Sequence, residues 1–173
     1  MRKRLAAELL ERELRRYRDA NQGPIVGRAS ALFGQLTLGR YPRLEVGYDE
    51  TDTPVLQCVD ERGTRVVVEG LSDGARDQLY LALRLASLER FAERNEPMPL
   101  VLDDVLIHFD EQRARAALAV LADFSATAQV LFFTHSARLC ELAREAVPAD
   151  RLFEHRLGDG FPTVPVQLEL TAR

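Results

Sequence analysis

Four short stretches put polar side chains where chemistry is done: "LSDG" (Leu71, Ser72, Asp73, Gly74), "LVLDD" ending in Asp103 and Asp104, "FDEQR" with Asp110, and "LFFTHS" with Thr134 and His135. Each has a plain structural reading. Ser72 is an N-cap, paired aspartates after an apolar run are cap or turn residues, and a histidine after a strand is a hydrogen-bonding group. Together they describe something else. An apolar strand ending in two carboxylates suits Mg²⁺, one carboxylate acting through the water shell and the next orienting or deprotonating an attacking water. A histidine on the adjacent strand end can contact a terminal phosphate. A serine hydroxyl beside the free N–H groups of a helix start makes a phosphate cradle, because the first-turn donors and the helix dipole point at the anion.

The elements that must position these groups follow from periodicity. Residues 1–22 read as a helix with leucines at 5, 9, 10 and 14, ended by Asn21, Gln22, Gly23 and Pro24. It reads equally as a surface helix or as the root of a coiled coil, and its start on Met1 inside a helical pattern favours the second. Ile25 to Leu36 reads as a helix, and Leu44 to Tyr48 as a strand. "PVLQCVD" and "TRVVVE" read as a hairpin turning at Gly63. After Gly74 the order becomes helix (Ala75 to Arg94), apolar run (Pro99 to Val105), helix (Glu111 to Phe124), apolar run (Gln129 to His135) and helix (Ala137 to Ala146). Two apolar runs without polar alternation, joined by a helix, predict a parallel pair buried on both faces. "RLFEHRL" and "VPVQLEL", around Gly158, Asp159 and Gly160, predict a closing hairpin. Both polar clusters then fall at the carboxyl ends of parallel strands, facing one crevice.

Composition narrows the function classes. The 173 residues, 46% hydrophobic and 29% charged, suffice for one α/β domain with a sizeable core. The net charge of -4 argues against a dedicated nucleic-acid surface, although seven of the 23 basic residues fall in the first eighteen positions. Cys58 and Cys140 are far apart and have no metal-ligand spacing, so ordinary buried or half-buried thiols are expected. No apolar run is long enough to cross a bilayer and no signal pattern opens the chain, so no membrane partner and a cytoplasmic location are the expectations. Lys3 is the single lysine.

The four stretches, in this order and spacing, resemble the second half of an ABC-type (P-loop NTPase) ATPase head of the SMC-like and SbcC-like branch. "LSDG" matches its signature loop, "PLVLDD" its Walker B strand, "FDEQR" its D-loop and "FFTHS" its switch histidine. "LFGQLTLGRYPRLEV", "LSDGARDQLYLALRLA", "LDDVLIHFDEQRARAALAVL" and "QVLFFTHSARLCELAREA" look like the C-terminal lobe of the YhaN-type AAA-family ATPases, over about Gly23 to Pro148. The resemblance implies an α/β lobe at 23–173 with a buried parallel βαβ core and flanking antiparallel hairpins, and a coiled-coil root helix at 1–22. It implies that Asp103 holds Mg²⁺ through water, that Asp104 stands where many relatives have a catalytic glutamate, and that His135 contacts the γ-phosphate. Base catalysis and metal support both stand open for Asp104, one methylene shorter than glutamate. Leu71, Ser72, Asp73, Gly74 and Asp110 are implied to reach nucleotide held by an opposing head. His108, where the wider family often has Asn, is given no role.

A Walker A loop, GxxxxGK[ST], is absent from the 173 residues, and no lysine after position 3 allows a variant. The expectation is therefore a C-terminal piece, inactive alone. Joined by an N-terminal Walker A lobe, it would bind and hydrolyse ATP with Mg²⁺ between two engaged heads, acting in DNA repair or DNA processing. A second reading, from a different class, is a nucleotide-independent interaction or dimerisation module. A third, resting on the basic N-terminal helix, is DNA binding without ATPase activity.

Overall fold

The computed structural model describes residues 23–51 and 53–157. The expected coiled-coil root at 1–22 and the second arm of the closing hairpin lie outside these residues, while 152–157 are irregular. Helix α1 occupies 23–36 of the described chain. It is closed by Gly39, whose N–H donates to the Gly34 carbonyl at 2.8 Å from a left-handed φ of 84°. Thr37 fixes the exit, its hydroxyl donating to the Phe33 carbonyl at 2.7 Å and accepting from the Tyr41 N–H at 3.2 Å. Tyr41 then stacks on Phe33, with ring centroids 5.5 Å apart.

Three antiparallel strands follow, β1 (Arg43–Tyr48), β2 (Pro54–Val59) and β3 (Arg65–Val67), in sheet order β1-β2-β3. The expected hairpin is present. Its turn is held by the Asp60 carboxylate, which accepts from the Arg62 and Thr64 N–H groups, and Gly63 takes the positive φ of 81° that the turn requires. Both thiols are free; Cys58 is buried in the core, which pushes it up to about 11, and Cys140 is half-buried.

A 3-10 turn, Val68–Gly70, leads into α2 (Asp73–Ala92). This helix lies two residues N-terminal of the expected span at both ends. Ser72 is the cap, so the first turn starts at Asp73, and the Arg94 and Asn95 N–H groups fold back onto the Phe91 carbonyl to end it. Leu79, Ala82 and Leu85 are fully buried along its inner face. Each buried leucine contributes about 1.5–3 kcal/mol of apolar transfer. Gln78, also buried, donates its amide to the Leu36 carbonyl at 3.0 Å and so ties α2 to the end of α1.

The last part is β4 (Leu100–Asp103), α3 (Glu111–Phe124), β5 (Val130–Phe133) and α4 (Ala137–Ala146). β4 and β5 are parallel, with Leu100 opposite Val130 and Asp103 opposite Phe133. One core cluster joins α1, both sheets and the later helices. The expectation of burial on both faces is corrected. Leu100 and Leu102 point into the core, but Val101, Leu131 and Phe133 are 55%, 38% and 43% exposed. Their composition suits a two-sided sheet; the described residues supply cover for one side. Among the described residues no helix is long and apolar enough to cross a membrane.

Candidate functional site

Asp103 and Asp104 follow one another at the end of β4 and have different surroundings. Asp103 completes the exposed row of the strand beside Phe133. Asp104 extends the ladder by one more bond, its N–H donating to the Phe133 carbonyl at 3.0 Å, and then turns at a left-handed φ of 48°. That conformation costs most residues energy, and aspartate and asparagine tolerate it best. The backbone thus gives a local reason for aspartate over the longer glutamate.

The turn delivers the Asp104 carboxylate to the end of β5. Thr134 Oγ1 donates to Oδ1 at 2.9 Å, the His135 N–H donates to the same oxygen at 3.4 Å, and His135 Nδ1 lies 2.6 Å from Oδ2. The Thr134 hydroxyl first, and then His135, hold this carboxyl below its ordinary 3.8. Asp104 is therefore an ionised acceptor, and His135 donates from Nδ1. Its Nε2 is left as the acceptor on a ring that is 75% exposed. The pair can orient a water or take a proton through Nε2; protonated, it can donate to an anionic oxygen.

Past Asp104 the chain makes two tight turns, with Ile107 N–H donating to the Asp104 carbonyl at 3.2 Å and Phe109 N–H to the Leu106 carbonyl at 3.0 Å. Leu106 is buried between them and anchors the loop. Asp110 then caps α3, accepting from the Arg113 N–H at 2.9 Å. Ser136 caps α4 in the same way, accepting from Leu139 N–H at 3.3 Å. Arg138 of α4 closes the far side with a bidentate pair to Glu111, 2.8 Å at each contact, which lowers the Glu111 carboxyl and raises the guanidinium.

Val101, Asp103, Asp104, Phe133, Thr134, His135 and Leu157 line one open crevice. On the other side of His135 a hollow of about 230 Å³ is lined by Asp104, Leu106, Ile107, Phe109, Arg138 and Leu142, among others. Leu71, Ser72, Asp73, Gly74 and Asp110 line neither. Leu71 is buried, while Ser72 and Asp73 are exposed at the start of α2, where Ser72 Oγ accepts from Ala75 N–H at 3.4 Å. Asp103, Asp104 and His135 therefore share one place, and the 71–74 loop presents a separate surface.

The chemistry of the donors bears on Mg²⁺. No group of three or more carboxylate, histidine or cysteine ligands occurs among the described residues. Mg²⁺ keeps several waters and takes only one or two carboxylates from a protein, a donor set that the exposed Asp103 carboxylate fits as a single ligand.

Two contacts escaped sequence reading. Thr134 was legible as a strand-end polar residue, but its bond to Asp104 depends on strand pairing. His108 Nδ1 lies 2.9 Å from Asp77 Oδ2 across 31 residues, and no local pattern announces that.

The α/β fold of this chain resembles parts of SMC head structures. It aligns at a TM-score of 0.57 and 15% identity with a structure from work on ATP-driven dimerization and DNA stimulated activation of SMC ATPases, covering 72% of this chain and 75% of that one. The Smc head domain with a coiled coil and joint from Pyrococcus yayanosii matches at 0.57 and 17%, over 81% of this chain and 26% of that one. The SMC head domain from Thermotoga maritima matches at 0.51 and 20%, over 78% and 44%. In sequence, the chain is 31% identical over 131 residues to YhaN, an uncharacterized protein of Bacillus subtilis (strain 168). That match takes in 75% of this chain and 13% of YhaN. The chain thus shares the fold of SMC head structures and is similar in sequence to a part of YhaN, of whose length it spans about an eighth. No protein-family model matches it.

Proposed function

We propose that this chain is the lobe of an SMC-like ATPase head that supplies the signature loop, Walker B carboxylates, D-loop and switch histidine, and that a Walker A lobe of the same or a split protein completes it. One observation carries the reading. Asp103 and the Asp104–His135 pair stand on the border of an apolar sheet face, Val101, Leu131 and Phe133, that nothing among the described residues covers. Reactive polar groups beside uncovered apolar surface are what an interrupted active site leaves on one of its halves.

In the completed head Asp103 would hold Mg²⁺ through water, and the ion would supply charge neutralisation at the β- and γ-phosphates. Asp104, ionised and fixed by Thr134, orients the attacking water and His135 together. His135, held through Nδ1, turns Nε2 toward the terminal phosphate and in its protonated form donates to it. Ser72 and the first-turn N–H groups of α2 face a phosphate carried by the opposing head, with Asp110 at the same junction. The product of the cycle is engagement and release of two heads. Its expected arena is the cytoplasm, in DNA repair or DNA processing, with DNA as a further partner; DNA-stimulated activation of SMC ATPases is described for one protein of the same fold.

A second reading, an interaction or dimerisation module that never turns over nucleotide, draws on the same uncovered face and on the absence of a Walker A loop from the 173 residues. Both are tested by mixing the chain with its Walker A lobe and measuring ATP hydrolysis. Turnover that Asp104→Asn lowers by about 10²–10⁴, with nucleotide binding retained, supports the ATPase. Binding of the lobe without turnover by the native pair sinks it and leaves the module.

A further inference from the structure

His108 lies in the seven-residue loop from Asp104 to Asp110, and its ring Nδ1 and its carbonyl oxygen both meet α2. Its Nδ1 is 2.9 Å from Oδ2 of Asp77. Its carbonyl oxygen lies so near Gly74 that a Cβ there would sit 3.2 Å from it. Gly74 and Asp77 are consecutive contacts on the first turn and a half of α2, directly after the Ser72 cap. The loop has little slack of its own: its two turns are closed by the Ile107 and Phe109 N–H groups, and Leu106 is pinned in the core. Its Asp104 end is fixed to Thr134 and His135. The start of α2 is equally seated, with Leu71 and Ala75 buried.

We infer that His108 and Asp77 form a latch that makes the 104–110 loop and the 71–74 loop move as one body, so that each head's own carboxylate is positioned jointly with the loop it offers to its partner. The inference rests on the two-head reading above. His108 and Asp77 are positioning residues in it; neither touches nucleotide. Their pair is exposed, 64% and 41% for the two side chains, and contributes little to global stability. Its effect is geometric. In a pair of heads, the Asp104 of one head serves the nucleotide bound there, while the Ser72 loop of that head serves the nucleotide across the interface. A rigid link between them couples the two sites, as one element whose position both nucleotides bias.

The first arm of the test uses this chain alone and reads amide hydrogen exchange at Ile107 and Phe109. Asp77→Ala and His108→Ala should each speed exchange about two- to tenfold, the scale of one hydrogen bond, with α3 and α4 unchanged. The double variant should show no more than either single one, and His108→Asn, whose amide nitrogen overlays Nδ1, should restore protection. Additive effects, or no effect, overturn the latch. The second arm uses the head pair completed by its Walker A lobe and reads the ATP concentration dependence of turnover. The native pair should be cooperative, and both alanine variants should bring the Hill coefficient toward 1, with His108→Asn retaining it. Native turnover whose cooperativity is absent, or unchanged in the variants, overturns the latch and leaves the ATPase standing. No native turnover overturns both.

Discussion

Asp104 Oδ2 and His135 Nδ1 lie 2.6 Å apart at the ends of two adjacent parallel strands, although 31 residues separate them in the chain. The contact exists because the ladder of β4 and β5 continues one residue past β4, through the Asp104 N–H, before the backbone turns. The carboxylate and the imidazole are therefore placed by strand register, and the Thr134 hydroxyl locks the result.

The carboxylate should titrate below 3.8, and Thr134→Val should raise it toward that value, since the Thr134 hydroxyl is the first cause of the depression. A lowered folded value means that the stabilisation linked to this group is fully present above its ordinary value and is lost as pH falls through the folded one. Carboxyl NMR of the native chain and of Thr134→Val checks both the position and the direction of the shift.

The left-handed turn at residue 104 sets a steric order among substitutions. Asp104→Asn keeps a side chain that tolerates positive φ, whereas Asp104→Val places a β-branched residue where it is strained. Thermal unfolding should put Asp104→Val clearly below Asp104→Asn. Equal melting temperatures would mean that the turn relaxes without cost.

The uncovered sheet face makes a prediction about association. Leu131→Glu with Phe133→Glu should leave the chain folded, because both side chains point away from the core row, while weakening its capture of the Walker A lobe by tenfold or more, about 1.4 kcal/mol or above. Circular dichroism of the chain and pull-down with the lobe are the measurements. Loss of folding in the double variant would show that this face is already covered within the chain.

Leu106 anchors the loop that carries Asp104, His108 and Asp110. Leu106→Ala should cost about 2–5 kcal/mol, as deletion of a fully buried leucine does, and Ser72→Ala about 1 kcal/mol for a lost helix cap. Denaturant unfolding of both variants tests the ranking; a smaller loss for Leu106→Ala than for Ser72→Ala would mean that the loop is not held by its buried leucine.

Local chemistry wrote much of this into the sequence. Ser72, Asp110 and Ser136 each cap a helix, α3 and α4 fall on the bounds that periodicity predicts, and β4 and β5 lie within theirs. The β2–β3 hairpin is legible because Gly63 needs a positive φ and Asp60 closes the turn beneath it. The helix α2 was displaced by two residues because capping, which depends on a single side chain, decides an end that periodicity leaves loose.

The sequence by itself determined which residues stand at strand ends and helix starts, since hydrophobic period, turn residues and caps act over a few positions. Only the tertiary structure decided which of those ends meet. Strand pairing joined Asp104 to Thr134 and His135, close packing of α2 on the 104–110 loop joined Gly74 and Asp77 to His108, and among the described residues nothing covers one face of β4 and β5. An apolar strand records how much cover it needs; whether both sides receive it depends on which other elements fold against it.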